Sequence, residues 1–385
     1  MAKSSHKMKK PHILDLYTDY LIASFGKTTA TNMSEMLNHS LSHDQISRFL
    51  NQDELTDKDY WKCVKPLVRR IEHPNGIIKI DDTIEEKPHT KENDIICWHY
   101  DHSKKGRDKN VKGINIVNFL YQSPLVELDY ISVPVAYEVI KKTEEWFDKK
   151  TKKVKRRSPV SKHELVQKRL RILQFLNKLK FKYILWDTWF SSKENFQFVH
   201  YELKKYFVAA LKSNRTAALS LEQKQNGKFL RVDQLDVQKD QAIPVWLKGL
   251  DFPVRLVKQV FHNKDGSTGE LYIVTNDLAL SADAISALYL NRWDVEVLHK
   301  SLKQNVGLEQ SPTKVETTQR NHIFASMIAW IKLEMLSKVK QTNHFDLKNQ
   351  LYVKALKTSF ELLQQLKLIQ PKLAAAKVEI FPRLG

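Results

Sequence analysis

Cysteine and glycine are both scarce in this sequence. The 385-residue chain has two cysteines, Cys63 and Cys97, which are too few and too far apart for a disulfide framework or a zinc knuckle. Its ten glycines form neither a GxGxxG fingerprint nor a phosphate-binding GxxxxGKS or GxxxxGKT loop. We therefore expect two ordinary reduced thiols, and nucleotide-driven chemistry is disfavoured.

Long apolar runs are also missing. No stretch of 18 apolar residues occurs, and the basic amino terminus lacks the apolar segment of a secretory signal. The sequence therefore predicts a soluble, intracellular protein rather than a membrane-spanning or secreted one.

Positive charge is abundant. Lysine and arginine number 63 against 44 acidic residues, a net charge of +19, and the isoelectric point is near 9.6. Such a balance favours a polyanionic partner, with nucleic acid first and a membrane surface second, although a solvated basic surface is the alternative. An apolar content of 42% is enough for a core spread over two or three structural units.

The amino-terminal region reads as helices over residues 11–70. Two short helices are predicted there, the first capped by Asn32 with Glu35 and the second by Ser42 with Gln45. This pair is compatible with a helix-turn-helix whose base-reading face carries Gln45, Ser47 and Arg48. The alternative is a small helical bundle with a polar exterior.

Strand patterns begin at residue 77. Apolar runs predict strands over 77–82, 113–120, 128–133, 183–187 and 206–211. Between the third and fourth strands, the basic stretch 149–157 has no apolar periodicity and reads as a mobile loop, either a phosphate clamp or a solvated tether. Ser161 and Glu164 then form a capping box for a helix through Leu179. This order of elements predicts a mixed α/β fold of the RNase H-like type.

Five regions follow from these patterns: an N-terminal helical DNA-binding region (1–74), a first part of the RNase H-like core (75–212), a β-rich insertion (213–279), a second part of the core (280–340) and a C-terminal helical region (341–385). Helical patterning resumes near Ala282 and continues through Gln304.

Two acids end predicted strands, Asp82 in Asp81-Asp82-Thr83 and Asp187 in Trp186-Asp187-Thr188. Phosphodiester cleavage uses divalent cations held by carboxylates from separate elements, because hard cations prefer oxygen ligands. Each acid alone is also typical of a turn. Asp81 remains the alternative to Asp82.

A third acid, Glu296, lies in the helical pattern Tyr289-x2-Arg292-x3-Glu296-x6-Lys303. At about 100° per residue these side chains share one stripe with His299. Apolar positions border the stripe: Leu290, Trp293 and Val297 on one side and Leu288, Val295 and Leu302 on the other. A charged seam between apolar borders indicates bound metal or phosphate. The alternative is an exposed ion-pair network of Arg292, Glu296 and Lys300.

With these four residues at these spacings, the sequence resembles the DDE insertion-sequence transposases that carry a Y-x2-R-x3-E-x6-K signature. The resemblance spans about residues 77–340 and includes the strand-end acids and the insertion. It implies Asp82, Asp187 and Glu296 as catalytic metal ligands for two Mg²⁺ ions, which Mn²⁺ can replace, and phosphate contacts by Tyr289, Arg292 and Lys303.

The resemblance also implies a reaction and partners. The element ends are nicked by hydrolysis, their 3′-hydroxyls attack target DNA, and a homodimer holds both ends; relatives often form a hairpin on the DNA end. In relatives an insertion aromatic stacks on a flipped base, for which Trp246 and Phe252 are candidates beside a core role. The protein is expected to be cytoplasmic, nucleoid-associated and prokaryotic.

Two other functions remain open: an inactive or domesticated DNA-binding regulator with the same fold, and a structure-selective nuclease. For the histidines at positions 99, 102 and 299 we expect packing or phosphate contact rather than a zinc site.

Overall fold

The computed structural model describes residues 10–101, 104, 109–124, 131–239, 241–262 and 266–374, with side chains described from residue 13 to residue 366. One large mixed β-sheet carries helices on its faces. The predicted mixed α/β, RNase H-like fold is therefore confirmed. No helix in these ranges combines the length and the apolar content needed to cross a membrane.

Four helices precede the sheet: α1 Lys10–Ala23, α2 Ala30–Met36, α3 His43–Asn51 and α4 Asp57–Ile71. The predicted capping box of Ser42 and Gln45 opens α3. The prediction for α2 was wrong, because its cap is Thr29, whose hydroxyl accepts a hydrogen bond from the backbone N–H of Asn32. A hydroxyl three residues earlier in the chain therefore sets the start of this helix.

The strands are, in chain order, β1 Ile77–Glu86, β2 Ile96–Tyr100, β3 Asn110–Gln122, β4 Ser132–Val139, β5 Glu144–Asp148, β6 Lys153–Arg157, β7 Tyr183–Trp186, β8 Tyr206–Leu211, β9 Thr216–Ala218, β10 Leu230–Arg231, β11 Ala242–Leu247, β12 Val254–His262 and β13 Thr268–Thr275. The core order is β4-β3-β1-β7-β8, with β1 antiparallel to β3 and parallel to β7. The strands β1, β4, β7 and β8 thus run in one direction and end at one edge of the sheet.

Two strands differ from the sequence pattern. The strand predicted over 128–133 is β4, which begins at Ser132; residues 125–130 lie outside the described part of the chain. Strand β2 was not predicted, because its inward-facing position is filled by His99 instead of an aliphatic residue. It pairs with the first residues of β3, beside the stretch that pairs with β4.

The β-rich insertion continues the same sheet beyond β8. Strand β13 pairs antiparallel with β8, and β12, β11, β9 and β10 follow in that order. Apolar residues alternate along β12 and β13. Those on one face form a second buried cluster together with Leu185, Val208 and Ile273.

The basic stretch 149–157, expected to be a mobile loop, is instead part of an ordered hairpin of β5 and β6. Its strands are held by cross-strand pairs rather than by an apolar face, which explains why hydrophobic periodicity missed it. Glu144 pairs with Arg157, and the ammonium of Lys155 lies 5.9 Å from the ring centroid of Trp146.

The remaining α-helices are α5 Lys162–Arg171, α6 Lys193–Gln197, α7 Leu221–Gln225, α8 Ala282–Leu290, α9 Trp293–Asn305, α10 Glu316–Lys340 and α11 His344–Ala374. Helix α5 opens with the predicted capping box of Ser161 and Glu164 and passes into a π-helical turn, Ile172–Leu176.

The helix predicted over 282–304 is not continuous. It breaks at Asn291 and Arg292, where the backbone N–H groups of Arg292 and Val295 bond to carbonyls three residues back. The break lets α8 pack on β8, β12 and β13 while α9 packs on β1 and α10. Helix α10 is largely buried in the main core, where it contacts α1, α3 and α9.

Candidate active site

Strand β1 presents its two adjacent acids to opposite faces of the sheet. Asp81 contacts Arg292, which immediately precedes α9, whereas Asp82 pairs with Lys162 at the start of α5 at 2.8 Å. This separation follows from the two-residue period of a strand. Asn118, the cross-strand partner of Asp81, lies on the α9 face as well.

Helix α9 is fastened along β1 at three levels. The contacts are Lys79 with Asp294, Asp81 with Arg292 at 3.1 Å, and the backbone carbonyl of Ile84 with the ammonium of Lys303 at 2.7 Å. Buried Val295, Leu298 and Leu302 add an apolar contact with the core. The helix therefore has a fixed register against the strand, and this register sets the position of Glu296.

Asp81, Glu296 and His299 converge in front of β1. Each offers a ligand atom, and these atoms lie within 4.8 Å of one another. The guanidinium of Arg292 bridges the two acids, at 3.1 Å from Asp81 and 3.4 Å from Glu296. Two carboxylate oxygens and an imidazole nitrogen form a donor set that can hold a divalent cation.

Asp187 directly follows β7, the parallel neighbour of β1. Its Oδ1 accepts a hydrogen bond from the backbone N–H of Trp189 at 3.0 Å, which fixes the carboxylate in the turn. Burial raises the pKa of Asp187, against the lowering effects of this backbone bond and of Arg292. Because Ile80 of β1 pairs with Trp186 of β7, Asp187 lies level with Asp81 on the neighbouring strand.

The acids around Asp81 outnumber the basic groups that face it. Burial raises its pKa well above the ordinary value, and repulsion from Asp187 and then Glu296 raises it further, while Arg292 lowers it. One guanidinium thus faces several carboxylates in a half-buried site. A divalent cation is the species that would relieve this repulsion and return Asp81 to its ionised form.

The sequence pattern placed His299 on the same helical stripe as Glu296 but assigned it to packing or phosphate contact. Its place beside two acids was missed. The side-chain amide of Asn118 lies 3.0 Å from Nε2 of His299. Burial lowers the pKa of His299 to about 3, so the imidazole is neutral at physiological pH. The spacing of three residues after Glu296 was the available signal.

Asp82 lies outside the group of Asp81, Glu296 and His299 found among the described residues. Its carboxylate accepts hydrogen bonds from Asn115 and Lys162. The ammonium of Lys162 also lies 4.9 Å from the ring centroid of Trp189, which stacks on His163. Lys162 thereby ties the start of α5 to both β1 and the turn after Asp187.

The other signature residues are held inside the protein. Tyr289 is buried, and the guanidinium of Arg292 lies 5.7 Å from its ring centroid. Lys303 donates to the Ile84 carbonyl and pairs with Glu309 at 3.0 Å. Arg292 and Lys303 therefore already have protein partners.

The stripe that carries Arg292, Glu296 and Lys303 was predicted to lie between two buried apolar borders. One of these borders is exposed, so that prediction was wrong for one side of the helix. Leu290 and Trp293 are 68% and 64% exposed, and Val297 is exposed as well. Val295 and Leu302 on the other border are fully buried. Residue type alone did not distinguish these borders, because α9 packs on the sheet along one side only.

In the amino-terminal region, Arg48 is exposed on α3, and its side chain bonds to the backbone carbonyl of Asp44. The side-chain oxygen of Gln45 accepts the N–H of Ser42 in the capping box. In the insertion, Phe252 is buried and stacks on His200, and Trp246 is half-buried beneath Lys224. His99 is buried within β2, and His102 lies outside the described residues.

Comparison with known sequences matches two families. The family described as DDE superfamily endonuclease matches residues 3–228, and the transposase DDE domain family matches residues 138–332. Each match covers half of the chain or more.

Individual relatives agree with these families. A protein named as a transposase in Sinorhizobium fredii is 29% identical over 141 residues, 36% of this chain and 38% of the relative. A protein named as a transposase for the insertion sequence element IS5377 in Geobacillus stearothermophilus is 31% identical over 147 residues, 37% of each chain. The chain thus aligns with less than two fifths of either relative. On the two family matches, the chain belongs to the DDE superfamily of endonucleases and contains a transposase DDE domain.

Proposed function

We propose that this protein is a DNA transposase that binds insertion-sequence ends, cleaves them by metal-dependent phosphodiester hydrolysis and joins the 3′-ends to target DNA. The observation that carries this proposal is the approach of Asp81, Asp187 and Glu296 from two parallel strands and one helix. Carboxylates gathered from separate elements suit in-line phosphoryl chemistry. The transposase names of the two bacterial relatives agree with it.

The metal ligands in this proposal are Asp81, Asp187 and Glu296, with His299 as an additional donor. Asp81 takes the place that the sequence pattern gave to Asp82, because the carboxylate of Asp82 is used by Lys162 and Asn115 on the opposite face. The oxygen-rich donor set favours Mg²⁺, which Mn²⁺ can replace, and two ions are proposed. When bound, such ions stabilise charge on the attacking and leaving oxygens of the phosphodiester.

Duplex DNA is the proposed partner, as element ends and as target. The net charge of +19 supports a polyanionic ligand. Arg292, placed between Asp81 and Glu296, can turn its fork towards a phosphate once cations neutralise those acids. Tyr289 is proposed to position Arg292. On α3, Arg48 is the exposed candidate for contact with the element end, and Gln45 requires release of its cap.

A homodimer is proposed for holding two DNA ends. Helix α11 supports this state, because Leu347 and Leu351 pack on the core while the helix beyond them exposes apolar side chains. Exposed Val353, Leu356, Phe360 and Leu363 follow the three-four spacing of a coiled-coil seam. A second copy of α11 would cover this stripe. The proposed location is the prokaryotic cytoplasm, in association with the nucleoid.

The test is a cleavage and joining assay on duplexes that carry the inverted repeats bordering the coding region, in Mg²⁺ or Mn²⁺. We expect the wild-type protein to nick the ends and join them to a target plasmid. Glu296→Gln should bind the same DNA without nicking it, while Glu222→Gln, an exposed glutamate on α7, should behave as wild type.

Two outcomes would replace the proposal. Wild-type protein that binds the ends but never nicks them with either metal would indicate a DNA-binding regulator. Protein that nicks without joining 3′-ends to the target would indicate a structure-selective nuclease.

A further inference from the structure

The β5–β6 hairpin carries uncompensated positive charge at its tip. Lys149, Lys150, Lys152 and Lys153 are all exposed, and the described residues place no carboxylate within ion-pair distance of any of them. Four ammonium groups therefore lie within five consecutive residues at the end of a short ribbon, where they repel one another unless an anion is near.

The acids of the hairpin are already neutralised by other cations. Glu144 pairs with Arg157 at 2.8 Å and Glu145 pairs with Arg156 at 2.9 Å. Asp148 pairs with Lys155. These ion pairs join the two strands along their length, so they hold the ribbon together and leave the charge of the tip for an external partner.

Both ends of the hairpin lie close to the part of β1 that carries Asp81 and Asp82. Val139 is the last residue of β4 and pairs with Ile116 of β3, which pairs in turn with Thr83 of β1. Thr83 lies two residues after Asp81, so β4 ends almost level with that acid. The chain then forms the hairpin and enters α5, where Lys162 pairs with Asp82. The hairpin therefore leaves and rejoins the sheet at the edge where the acids lie.

The base of the hairpin is fixed to the sheet. Arg156 pairs with Asp94 at 2.8 Å, just before β2, and the backbone carbonyl of Asp94 accepts the N–H of Lys142 at 2.7 Å. Lys142 in turn donates to the carbonyl of Trp98. These bonds on each side of the ribbon give it a defined direction at its base.

Apolar side chains accompany the lysines. Phe147 and Val154 face each other across the two strands and are 59% and 64% exposed, and Trp146 is exposed on the opposite face. A two-stranded ribbon is narrow enough to enter a major groove of DNA, and exposed apolar groups beside cations suit sugar and base edges behind the phosphates.

We propose that the hairpin Glu144–Arg157 is a duplex-DNA contact arm that binds DNA next to the candidate active site. The four tip lysines neutralise phosphates, and Phe147 and Val154 contact the groove between them. The arm deepens the proposed function, because it rests on DNA as the substrate, and it assigns that substrate a surface outside the catalytic acids and outside α3.

The first test compares two quadruple variants of the full chain by fluorescence anisotropy with a labelled duplex. One variant changes Lys149, Lys150, Lys152 and Lys153 to glutamine, and the control changes Lys65, Lys340, Lys354 and Lys357, which are exposed on helices. Each lost phosphate contact lowers the slope of log affinity against log salt by about 0.9. We expect a slope smaller by about 2 to 4 for the hairpin variant and an unchanged slope for the control.

Equal slopes for the two quadruple variants would overturn the proposal, and this is also the result expected if an acidic protein occupies the arm. A second variant, Phe147→Ser, should weaken DNA binding several-fold without changing the slope, because an apolar contact releases no counterions. Wild-type affinity in Phe147→Ser would remove the groove contact from the proposal.

The binding assay separates this inference from the proposed function. If wild-type protein never nicks DNA but the hairpin variant binds DNA with a smaller salt slope, the transposase proposal is wrong and the contact-arm proposal is supported. If wild-type protein nicks and joins DNA while the hairpin variant binds DNA with the wild-type salt slope, the contact-arm proposal is wrong and the transposase proposal is supported.

Discussion

The geometry around Asp81 gives single side chains different roles despite their proximity in sequence. Asp81 faces α9, Glu296 and His299. Asp82 points to the other face of β1, where its carboxylate accepts a hydrogen bond from the ammonium of Lys162. Because strand side chains alternate, a shift of one residue changes the partner completely. The acid-acid-threonine motif alone did not reveal which acid faces Glu296 and His299.

Asp81→Asn and Asp82→Asn form a matched pair with the same chemical change on the two faces of β1. Asp81→Asn should reduce Mg²⁺-dependent cleavage by about 1000-fold, or about 4 kcal/mol of transition-state stabilisation, because a proposed metal ligand is lost. Asp82→Asn should retain more than about a tenth of the wild-type rate. Single-turnover cleavage of end duplexes measures both, and the reverse ranking would return the ligand role to Asp82.

Lys303 offers a second test at the residue scale. The sequence signature implies a phosphate contact, but the ammonium is bonded to the Ile84 carbonyl and to Glu309. Lys303→Gln should therefore lower the free energy of unfolding by about 1.5–3 kcal/mol, the range for hydrogen bonds to charged groups. The salt dependence of DNA binding should stay as in wild type. Urea unfolding and anisotropy titrations check the two parts, and a smaller salt slope with unchanged stability would favour the phosphate contact.

At the scale of elements, apolar patterning predicted the parts of the fold that bury a regular face. Strands β1, β3, β7 and β8 followed from it, since their inward positions are aliphatic or aromatic. The start of α5 followed from the capping box of Ser161 and Glu164. The hairpin of β5 and β6 did not, because its strands are joined by ion pairs. The break at Asn291 and Arg292 also gave no signal, because it depends on which parts of the sheet α8 and α9 cover.

The site was predictable to the same extent. Helical spacing placed Arg292, Glu296 and His299 together. These residues are three or four positions apart, and they remain on one face although Arg292 lies in the tight turn before α9. The exposed border of Leu290 and Trp293 was not predictable, since exposure depends on tertiary packing rather than on residue type.

The contact between α1 and α10 predicts a pH dependence of stability. The Tyr17 hydroxyl lies 2.9 Å from Nδ1 of His322, whose Nε2 lies 3.0 Å from the Gly307 carbonyl. Burial lowers the pKa of His322 from 6.5 to about 4, so between these values the unfolded chain binds the extra proton. The contribution of His322 to the free energy of unfolding should fall, by up to about 3 kcal/mol, as the pH decreases through this window.

Denaturant unfolding at several pH values measures this effect, with His322→Gln as the comparison. The variant should lack the contribution of His322. The slope that remains reflects other buried groups: His99 and His299, whose pKa values burial lowers to about 3, and Glu85, whose pKa burial raises to about 7 and which therefore acts in the opposite direction. Wild-type and His322→Gln curves with the same slope from pH 6.5 to 4 would contradict a neutral buried His322.

At the scale of the whole molecule, the exposed stripe on α11 predicts the assembly state. Phe360 and Leu363 are 62% and 48% exposed on the part of α11 beyond its contacts with the core. Phe360→Ser with Leu363→Ser should convert a dimer to a monomer while leaving the fold unchanged, because these side chains contribute nothing to the core of one chain. Sedimentation equilibrium measures the masses, and Ser substitutions at Lys354 and Glu361, which are exposed away from the stripe, provide the control.

A monomeric wild-type protein at micromolar concentration, with and without end DNA, would contradict the dimer. It would leave the catalytic assignment unaffected, because Asp81, Asp187 and Glu296 all belong to one chain.

The central claim is that Asp81, Asp187 and Glu296 hold the divalent cations of a DNA-cleaving site. The most direct measurement is anomalous diffraction from crystals of the protein with Mn²⁺ and an end duplex. We expect anomalous peaks about 2 Å from carboxylate oxygens of Asp81 and Glu296, with Asp187 in the same coordination shell. Manganese bound to Asp82 on the α5 face, or no manganese beside Asp81 while DNA occupies the site, would contradict it.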